Sequence, residues 1–268
     1  MKSMLSEPFK TLWAGRDEFS EVDRFQGEVY REIEARRTFR TEVDGRGYFV
    51  KIHRGIGWVE IVKNLVTAKL PVLGAGQEWL AIQRLHEIGV PTMTAVAYAE
   101  RGNNPANQHS FIITEELAPT VSLEDFSLDW NRHPPDPILK RALIYEVSRI
   151  TRMMHLGGVN HRDYYICHFL LHTDSLATFD NLKLSVIDLH RAHTRDRVSR
   201  RWRDKDLAAL YFSVLDIGLT RRDRFRFLKG YFQQPLSQTL ADEDALLKWL
   251  QYKADKLYAR NKRYGSAL

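Results

Sequence analysis

Two aspartates near the middle of the chain have the types and the order that phosphoryl-transfer chemistry requires. Asp163 closes a His-Arg-Asp tripeptide, and Asp188 ends an apolar run further along the chain. Such a reaction needs one carboxylate to orient the attacking hydroxyl and a second to hold the metal ion that neutralises the nucleotide phosphates. We therefore interpret Asp163 as a catalytic group and Asp188 as a metal ligand.

A structural interpretation of the same residues stays open at this point. Leu182, Leu184 and Val186 alternate with polar residues, which predicts a half-buried strand whose final aspartate only caps a turn. A His-Arg-Asp tripeptide alone is a weak motif. The order of the two aspartates, their spacing and their apolar flanks together favour the chemical interpretation.

Length and composition indicate the class of protein. The chain has 268 residues, of which 44% are hydrophobic and 28% charged, so we expect a folded chain with two lobes. No apolar run approaches the ~20 residues of a membrane span, and the charged N-terminus lacks the apolar stretch of a signal peptide. Both observations predict a cytoplasmic protein. The single cysteine, Cys167, excludes an internal disulfide and fits a small buried apolar role.

The net charge of +6 at pH 7 indicates acidic partners without naming them. An anionic membrane surface, phosphorylated small molecules and nucleic acid all have the complementary charge. The sequence lacks zinc-finger spacing, a helix-turn-helix signal and an aromatic RNA-binding signature. We therefore expect no nucleic acid partner, while an acidic protein partner stays open.

The first half of the chain predicts a small antiparallel sheet. Runs of β-branched and aromatic residues predict strands over 25–33, 38–43 and 48–53, and the last two flank a hairpin turn. Lys51 lies inside the third run. A lysine in such a strand most often faces solvent, but in a kinase the corresponding lysine binds the nucleotide phosphates.

Two helical patterns follow the predicted strands. Over 77–88, apolar residues recur on one side before a glycine, and Glu78 lies in the first turn. Glu78 can simply complement the helix dipole, but the downstream aspartates favour its ion pair with Lys51. A second apolar stripe, over 139–154, leads the chain to the His-Arg-Asp tripeptide.

The predicted strand over 110–117 ends in acids and is the expected connector between two lobes. We expect backbone groups near Glu115 to face an adenine ring. The predicted lobes are residues 1–116, with the sheet and one main helix, and residues 117–268, which are mostly helical.

Several longer strings resemble the lipopolysaccharide core heptose kinases of the inner-core heptose(I) type. They are Leu12-Trp13, Leu70–Ala75, Phe111–Glu115, Asn160–Asp163, Ile166–His172, Val186–Ala192 and Arg201–Leu207. The resemblance implies an α+β, bilobal protein-kinase-like fold, with a small antiparallel sheet lobe and a mostly helical second lobe. It also implies ATP-dependent phosphorylation of a heptose in the lipopolysaccharide inner core, with Mg²⁺, at the cytoplasmic face of the inner membrane.

The resemblance also implies a role for each matching residue. It assigns catalysis to Asp163, metal binding to Asp188, phosphate binding to Lys51 and the orientation of that lysine to Glu78. His168 stands where protein kinases place an asparagine, and a neutral imidazole can bind a divalent ion. His168 is therefore the expected second metal ligand, although magnesium prefers oxygen.

Three other positions depart from the wider kinase pattern. Tyr165 replaces the lysine that is usual in protein serine/threonine kinases, and Asp188-Leu189-His190 replaces Asp-Phe-Gly. No glycine-rich loop precedes Lys51. The expected loop between the first two strands instead contains Glu34-Ala35-Arg36-Arg37, and its two arginines are candidate phosphate contacts, although most surface arginine pairs have no such role.

The densest basic segment follows Asp188, where a kinase has its activation and acceptor-binding loop. It contains His190, Arg191, His193, Arg195, Arg197, Arg200, Arg201 and Arg203. A charge run is usually a solvated face, but arginine forks suit phosphate and carboxylate groups. We expect this segment to bind the anionic lipopolysaccharide acceptor. Asp206 is expected to open a helix over 207–215 and to brace the catalytic loop from beneath.

The tail over 242–263 predicts one amphipathic helix. Its acidic start is Asp242, Glu243 and Asp244, its apolar side is Leu247, Leu250, Ala254 and Leu257, and its basic residues are Lys248, Lys253, Lys256, Arg260, Lys262 and Arg263. Packing of the apolar side on the second lobe is the simpler role. Contact with anionic lipid would add about 1 kcal/mol for each basic residue near the surface, so the anionic inner-membrane surface is a further expected partner.

Two other functions stay open. A protein kinase or an antibiotic-type phosphotransferase has the same fold, but Tyr165 and the basic segment disfavour it, since a cationic aminoglycoside would be repelled. A kinase-shaped binding module without chemistry is favoured by His168 and by the missing glycines. The retained lysine, glutamate and two aspartates argue against that module.

Overall fold

The structure is a computed structural model, and it describes residues 2–33, 35–66, 74–104 and 106–264. The chain divides into two compact units. The sheet unit comprises residues 1–83, 93–117 and 189–191, and the helical unit comprises residues 84–92, 118–188 and 192–268. Three of the predicted features lie partly outside the described residues, namely Glu34, the string over 70–73, and the side chains of Arg260, Lys262 and Arg263.

Six antiparallel strands form the sheet of the sheet unit, in the order β1-β5-β6-β4-β3-β2. The strands are β1 (Lys2–Leu5), β2 (Glu28–Ile33), β3 (Arg36–Val43), β4 (Arg46–Arg54), β5 (Ala95–Arg101) and β6 (His109–Glu115). The helices are α1 (Phe9–Leu12), α2 (Glu18–Arg24), α3 (Gly57–Val66) and α4 (Gly76–Glu87). The antiparallel sheet expected from the sequence is confirmed, and it has more strands than the pattern indicated.

The hairpin between β3 and β4 places Lys51 at the centre of this sheet. Asp44 and Gly45 form its two-residue turn with φ of 51° and 75°, the left-handed conformation that Asp-Gly turns favour. The register pairs Lys51 with Thr38 of β3 and with Ile112 of β6. Because β4 is hydrogen-bonded on both sides, the backbone at Lys51 is fixed.

The predicted arginine loop before β3 is different in the structure. Arg36 and Arg37 both lie within β3. The Arg37 guanidinium lies 3.7 Å from a Glu32 carboxylate oxygen and over the ring of Phe39. The expectation that both arginines lie in a loop was therefore wrong, because strand pairing with β2 and β4 extends through both residues. Their contact with phosphate remains a prediction.

An aromatic core supports the sheet. Phe9 and Phe19, from α1 and α2, are fully buried with Phe39 and Phe111 of the sheet. The Phe19 and Phe111 rings make an edge contact with 5.4 Å between centroids. The chain before β2 therefore forms strand β1 of the sheet and two short helices, which pack on the sheet that holds Lys51.

The helical unit contains two small sheets, β10-β9-β7 and β11-β8, among its helices. The strands are β7 (Thr120–Ser122), β8 (Val159–Asn160), β9 (Phe169–His172), β10 (Leu184–Val186) and β11 (His193–Thr194). The helices are α5 (Leu123–Ser127), α6 (Pro137–Leu156), α7 (Arg200–Ser213), α8 (Arg221–Phe232), α9 (Leu236–Asp242) and α10 (Asp244–Tyr264). A mostly helical unit was expected and is confirmed.

Helix α6 leads the chain into the catalytic segment. Its N-cap residue Asp136 accepts hydrogen bonds from two backbone N–H groups of the first turn, and Pro137 begins the helix. At the other end Gly158 has φ of 84°, and a Cβ there would collide with the carbonyl oxygen of Arg195. Glycine is required at this position because β8 begins beside that carbonyl.

Two helices differ from the sequence-based expectation. Asp206 lies in the middle of α7 rather than at the start of a helix, because α7 begins at Arg200. Asp242 ends α9, and Asp244 begins α10, so the acidic group does not form the start of one tail helix. Among the described side chains of α10, Leu246, Leu250 and Ala254 are buried. No helix among the described residues has the length and apolar character to cross a membrane.

The burial of two residues, Ser185 and Cys167, differs from the sequence-based prediction. Ser185 in β10 is 3% exposed, and its hydroxyl hydrogen-bonds the His172 ring, so β10 is buried on both faces rather than on one. Cys167 is half-buried rather than buried. Burial raises the pKa of its thiol to about 11, which keeps the thiol protonated and unreactive at neutral pH.

An apolar cavity of about 330 Å³ lies within the helical unit. Its wall includes Leu143, Ile166, Leu207, Leu210, Leu246 and Leu250. Side chains from α6, α7 and α10 thus surround a space that offers few hydrogen-bond partners. Such a space suits an apolar ligand better than a polar one.

Candidate active site

The ion pair predicted between β4 and α4 is present in the sheet unit. The Lys51 ammonium donates a hydrogen bond of 2.6 Å to Oε1 of Glu78. Lys51 is 8% exposed and Glu78 is fully buried. Two buried opposite charges hold each other in place, because leaving either one alone in the interior is costly. The pair fixes the ammonium of Lys51 near the middle of β4.

Glu115, the expected adenine contact, is the last residue of β6. Its backbone N–H donates a 2.9 Å hydrogen bond to the carbonyl oxygen of Thr94. That N–H is therefore already used within the sheet unit. The neighbouring Glu116 binds the Arg40 guanidinium through both carboxylate oxygens, at 2.8 and 2.7 Å.

The His-Arg-Asp segment of the helical unit is held by Asp206. One Asp206 carboxylate oxygen accepts a 2.7 Å hydrogen bond from the N–H of His161, and the other accepts a 2.8 Å bond from the N–H of Arg162. Arg162 has φ of 74°, an uncommon conformation for a non-glycine residue. The buried carboxylate stabilises this turn immediately before Asp163, so the predicted bracing role of Asp206 is confirmed.

The His161 ring ties the segment to the strand that leads to Asp188. Its Nε2 lies 2.9 Å from the carbonyl oxygen of Ile187, so Nε2 must bear the proton and donate it. Burial lowers the pKa of His161, and the neighbouring His168 acts in the same direction. A neutral His161 therefore fixes the distance between the two segments that end in aspartate.

His168 lies between the two aspartates. Its Nδ1 is 2.6 Å from the carbonyl oxygen of Asp163, so Nδ1 is the donor in the neutral ring. Its Nε2 then has the lone pair, 3.6 Å from Oδ2 of Asp188. The backbone supports the arrangement, since the Ile187 N–H donates to the His168 carbonyl oxygen at 3.0 Å. The structure thus brings Asp163, His168 and Asp188 together, as the sequence predicted.

The donor set at this point fits a magnesium ion with few protein ligands. Mg²⁺ is usually held by one or two carboxylates while water and phosphate oxygens complete its octahedron. Asp188 has a side chain that is 31% exposed, and the Nε2 of His168 lies beside it. The described part of the chain has no group of three or more His, Cys, Asp and Glu side chains that could hold a metal ion. Metal binding here would therefore depend on the nucleotide phosphates.

The basic segment after Asp188 does not form one loop. His190 and Arg191 lie in a short 3-10 turn that belongs to the sheet unit. Arg195 follows β11, Arg197 is exposed, and Arg200, Arg201 and Arg203 lie in the first turn of α7. Arg203 contacts Asp204 at 2.8 Å and Glu243 at 3.1 Å, which is a structural role within the helical unit.

Four cations of the helical unit surround one indole ring. The guanidinium carbons of Arg162, Arg195 and Arg201 each lie 5.5 Å from the Trp202 ring centroid, and the Lys205 ammonium lies 4.5 Å from it. We call these five residues the Trp202 cluster. Of the expected acceptor-binding residues, only Arg195 and Arg201 belong to it.

Comparison with known proteins gives the family. A model of the lipopolysaccharide kinase (Kdo/WaaP) family matches residues 20–231. The chain belongs to this family. It is 68% identical to the lipopolysaccharide core heptose(I) kinase WaaP of Pseudomonas aeruginosa, with all of both chains aligned. It is 53% identical to the WaaP of Escherichia coli K12, over 97% of this chain and 98% of that one. The resemblance inferred from motifs is confirmed, and so is the kinase class.

Solved structures agree with the family assignment. WaaP in complex with acyl carrier protein matches with a TM-score of 0.86 and 63% identity, over 96% of this chain and all of that one. The BubR1 kinase domain matches with a TM-score of 0.51 and 13% identity, over 85% of this chain and 82% of that one. The second likeness shows the fold alone, and it confirms the protein-kinase-like architecture of this lipopolysaccharide kinase family member.

Sequence reasoning missed several residues of the site. Trp202 and Lys205 were not singled out, and Arg162 was considered only as part of a motif. A lone aromatic residue between two arginines, in Arg201-Trp202-Arg203, was the available signal. Thr92 was also missed; its hydroxyl donates a 2.6 Å hydrogen bond to the carbonyl oxygen of Val186, two residues before Asp188.

Proposed function

We propose that this protein transfers the γ-phosphoryl group of ATP to a heptose hydroxyl in the lipopolysaccharide inner core. The observation that best supports this is the position of His168. Its Nδ1 hydrogen-bonds the carbonyl oxygen of Asp163, and its Nε2 lies 3.6 Å from Oδ2 of Asp188. One residue thus joins the proposed acceptor-orienting carboxylate to the proposed metal-binding carboxylate. The sugar acceptor is proposed from relatives that are named heptose(I) kinases and are 53–68% identical.

The proposed reaction forms one bond and breaks one bond. The acceptor hydroxyl oxygen attacks the γ-phosphorus, the bond from that phosphorus to the bridging oxygen breaks, and ADP leaves with that oxygen. Asp163 orients the hydroxyl and accepts its proton as the new P–O bond forms. Lys51, held by Glu78, neutralises phosphate charge on the nucleotide.

The metal ion in this proposal is Mg²⁺, which Asp188 and His168 would hold together with phosphate oxygens. When bound, it would neutralise charge on the phosphates. The protein contributes the orientation of both ligands. The Nδ1–H of His168 is used on the Asp163 carbonyl oxygen, so the ring presents Nε2 to the ion, and this outer contact fixes the tautomer.

We also propose that the protein binds acyl carrier protein. A relative with 63% identity is described in complex with acyl carrier protein, and the net charge of +6 suits an acidic partner. The apolar cavity of about 330 Å³ suits the acyl chain that such a partner bears. We expect the acylated partner to bind at least about tenfold more tightly than the same protein without an acyl chain, measured by titration calorimetry. Equal affinities would contradict the role of the cavity.

The proposed place of action is the cytoplasmic face of the inner membrane, with the protein bound peripherally. ATP is available on that side, and the acceptor is anchored in lipid. Basic residues on α10, such as Lys248 and Lys256, are exposed and would add to attraction by anionic lipid.

A transfer assay with purified inner-core lipopolysaccharide tests the proposed chemistry. Asp163→Ala and Asp188→Ala should each lower kcat by about 10²–10⁴-fold while leaving the melting temperature unchanged. Asp174→Ala is the matched control, because Asp174 is an exposed aspartate of the same unit. Wild-type turnover in either site variant would contradict the assignment, and transfer to a protein or to an aminoglycoside instead would identify a different acceptor.

A further inference from the structure

The Trp202 cluster concentrates positive charge in a way that folding alone does not require. Arg162, Arg195, Arg201 and Lys205 lie within 5.5 Å of one ring centroid. The ring attracts each cation, but the cations repel one another. A gathering of like charges around one ring suits an anion that binds between them.

The carboxylates nearest to the cluster on α7 are already used elsewhere. Asp204 binds Arg203 at 2.8 Å. Asp206 accepts both of its short hydrogen bonds from the backbone N–H groups of the catalytic segment. Within the described ranges, neither Arg201 nor Lys205 has a carboxylate within ion-pair distance.

The start of α7 adds further positive potential at the same place. The first turn of this 14-residue helix has no acidic residue, and its N-cap residue Ser199 makes no side-chain hydrogen bond to the helix. Helix N-termini favour anions and disfavour cations. Arg200 and Arg201 occupy this turn all the same, so the local charge opposes the helix dipole rather than complementing it.

Titration at the cluster agrees with mutual repulsion among its cations. The pKa of Lys205 is lowered by burial and then by Arg201 and Arg162. The pKa of His193, whose Nε2 lies 3.2 Å from the Arg162 guanidinium, is lowered by burial and then by Arg162 and Arg195. Neither shift has an acid among its causes, which agrees with positive charge gathered beside Lys205 and His193.

We propose that the Trp202 cluster is a binding subsite for an acidic group of the acceptor, a phosphate or a carboxylate on the sugar chain. Arg195, Arg201 and Lys205 donate hydrogen bonds to its oxygens, and the open first turn of α7 adds backbone N–H donors. This proposal rests on the proposed transfer to a sugar acceptor and specifies how that acceptor is held.

The position of the cluster decides which molecule brings the anion. Arg162 belongs to it and directly precedes Asp163 in the chain. Asp206 fixes the turn that joins them. An anion bound at Trp202 is therefore close to the residue that orients the attacking hydroxyl, which favours the acceptor itself over a lipid headgroup at a remote surface.

Direct binding tests the subsite without any need for turnover. The nucleotide site is first saturated with a non-hydrolysable ATP analogue, and inorganic phosphate is then titrated while the melting temperature is followed. Arg201→Gln/Lys205→Gln removes two charge-assisted donors and should weaken phosphate binding by at least about tenfold. Arg141→Gln/Arg222→Gln removes the same charge from exposed arginines of the same unit and should bind phosphate as the wild type does. Equal phosphate affinity in all three proteins would overturn the proposal.

Turnover then identifies the source of the anion. The Arg201→Gln/Lys205→Gln variant should raise the KM for the natural acidic acceptor about tenfold and leave the KM for a dephosphorylated, carboxyl-reduced acceptor unchanged. Its ATP KM should stay at the wild-type value. An equal rise with both acceptors, or a shift in the ATP KM alone, would overturn the assignment.

Anionic lipid vesicles provide the remaining comparison. Binding to phosphatidylglycerol vesicles should be the same for the cluster variant and for the charge-matched control. If only the cluster variant loses vesicle binding while its acceptor KM stays normal, the anion is a lipid headgroup and the proposal is wrong. If the wild type transfers phosphate to neither acceptor, the proposed function fails, and the phosphate titration still decides whether the cluster binds anions.

Discussion

One site in the sheet unit and one site in the helical unit hold positive charge in opposite ways. In the sheet unit, the buried Lys51 ammonium has its counter-charge 2.6 Å away on Glu78. In the helical unit, Arg162, Arg195, Arg201 and Lys205 surround Trp202, while the acids of α7 bind other groups. The first arrangement neutralises a charge inside the protein, and the second maintains an excess of one sign.

That difference separates two uses of charged residues. A paired charge in the interior fixes the position of a side chain, because breaking the pair leaves one ion without solvation. A group of like charges at a half-exposed ring gains little for the folded state by itself and gains most when an anion arrives. Removing a charge of the Lys51–Glu78 pair should therefore lower the free energy of unfolding. Removing a charge of the Trp202 cluster should instead weaken anion binding and leave the unfolding free energy nearly unchanged.

Breaking the Lys51–Glu78 pair should produce the largest loss of stability. Lys51→Ala leaves the fully buried Glu78 carboxylate without its partner, and we expect the free energy of unfolding to fall by about 3–5 kcal/mol. Denaturant titration measures this. The double variant Lys51→Met/Glu78→Leu should recover most of the stability without recovering transfer. A single variant as stable as the wild type would show that the pair is not held in the interior.

The pH dependence of stability tests whether the buried His53 of β4 stays uncharged beside the other cations of the sheet unit. Burial and then the charges of Arg36 and Lys51 lower its pKa to about 3, so it stays neutral in the folded chain where the unfolded chain takes up a proton. Stability should therefore fall as the pH drops below about 6.5, by about 1.4 kcal/mol for each pH unit from this residue.

The His53→Gln variant removes that titration. Its unfolding free energy, measured by denaturant titration between pH 7 and pH 4, should fall less steeply with acid than that of the wild type. Parallel pH profiles for the two proteins would mean that His53 is protonated in the folded chain.

Variants of His168 test whether its Nε2 binds a metal ion in the helical unit. If Nε2 binds the ion beside Asp188, His168→Asn should keep activity, because an amide oxygen can replace the ring nitrogen. His168→Ala should raise the magnesium concentration for half-maximal rate several-fold, which corresponds to about 1 kcal/mol of metal-binding free energy. Transfer rates measured over a magnesium series check this, and identical magnesium dependence in all three proteins would leave His168 a structural role only.

The smallest expected effect is that of Arg201 on α7, which is compared with Arg203 on the same helix. Arg203 binds two carboxylates, so Arg203→Ala should lower the unfolding free energy by about 1–3 kcal/mol. Arg201 lies at the positive end of the helix with no such partner, so Arg201→Ala should raise it by about 0.3–1 kcal/mol. Thermal unfolding of both variants without phosphate checks the sign, and a clear loss in Arg201→Ala would mean that the cation stabilises the fold.

Periodic patterns and paired motifs were the predictable part of this molecule. The strands around Lys51 and helices α4 and α6 were located within a few residues, because alternation and apolar stripes are local properties of the sequence. The ion pair was predictable because a buried lysine needs an acid, and Glu78 stood in the next helix. Asp163, His168 and Asp188 followed from the spacing of a known motif, and their chemical roles remain predictions.

The start of α7 was not predictable from local preference. Arg200 and Arg201 disfavour a helix N-terminus, so the basic segment was expected to be a loop. The helix forms there because its later residues are buried, among them Asp206, Leu207 and Leu210, and tertiary packing outweighs propensity. The same reason explains Ser185, whose burial depends on a hydrogen bond to a distant histidine.

Helix α7 connects the Trp202 cluster to the backbone before Asp163 and fixes the distance between them. Its first turns place Arg201, Trp202 and Lys205, and its next residue, Asp206, holds the backbone that leads to Asp163. An α-helix rises 1.5 Å per residue and does not stretch. If the Trp202 cluster binds the acidic group as proposed, the distance from that group to the reacting hydroxyl is therefore constant. An acceptor whose acidic group lies one sugar nearer to or further from the hydroxyl would not place that hydroxyl at Asp163. The selectivity for one hydroxyl would then come from the length of the helix rather than from a pocket that fits the sugar.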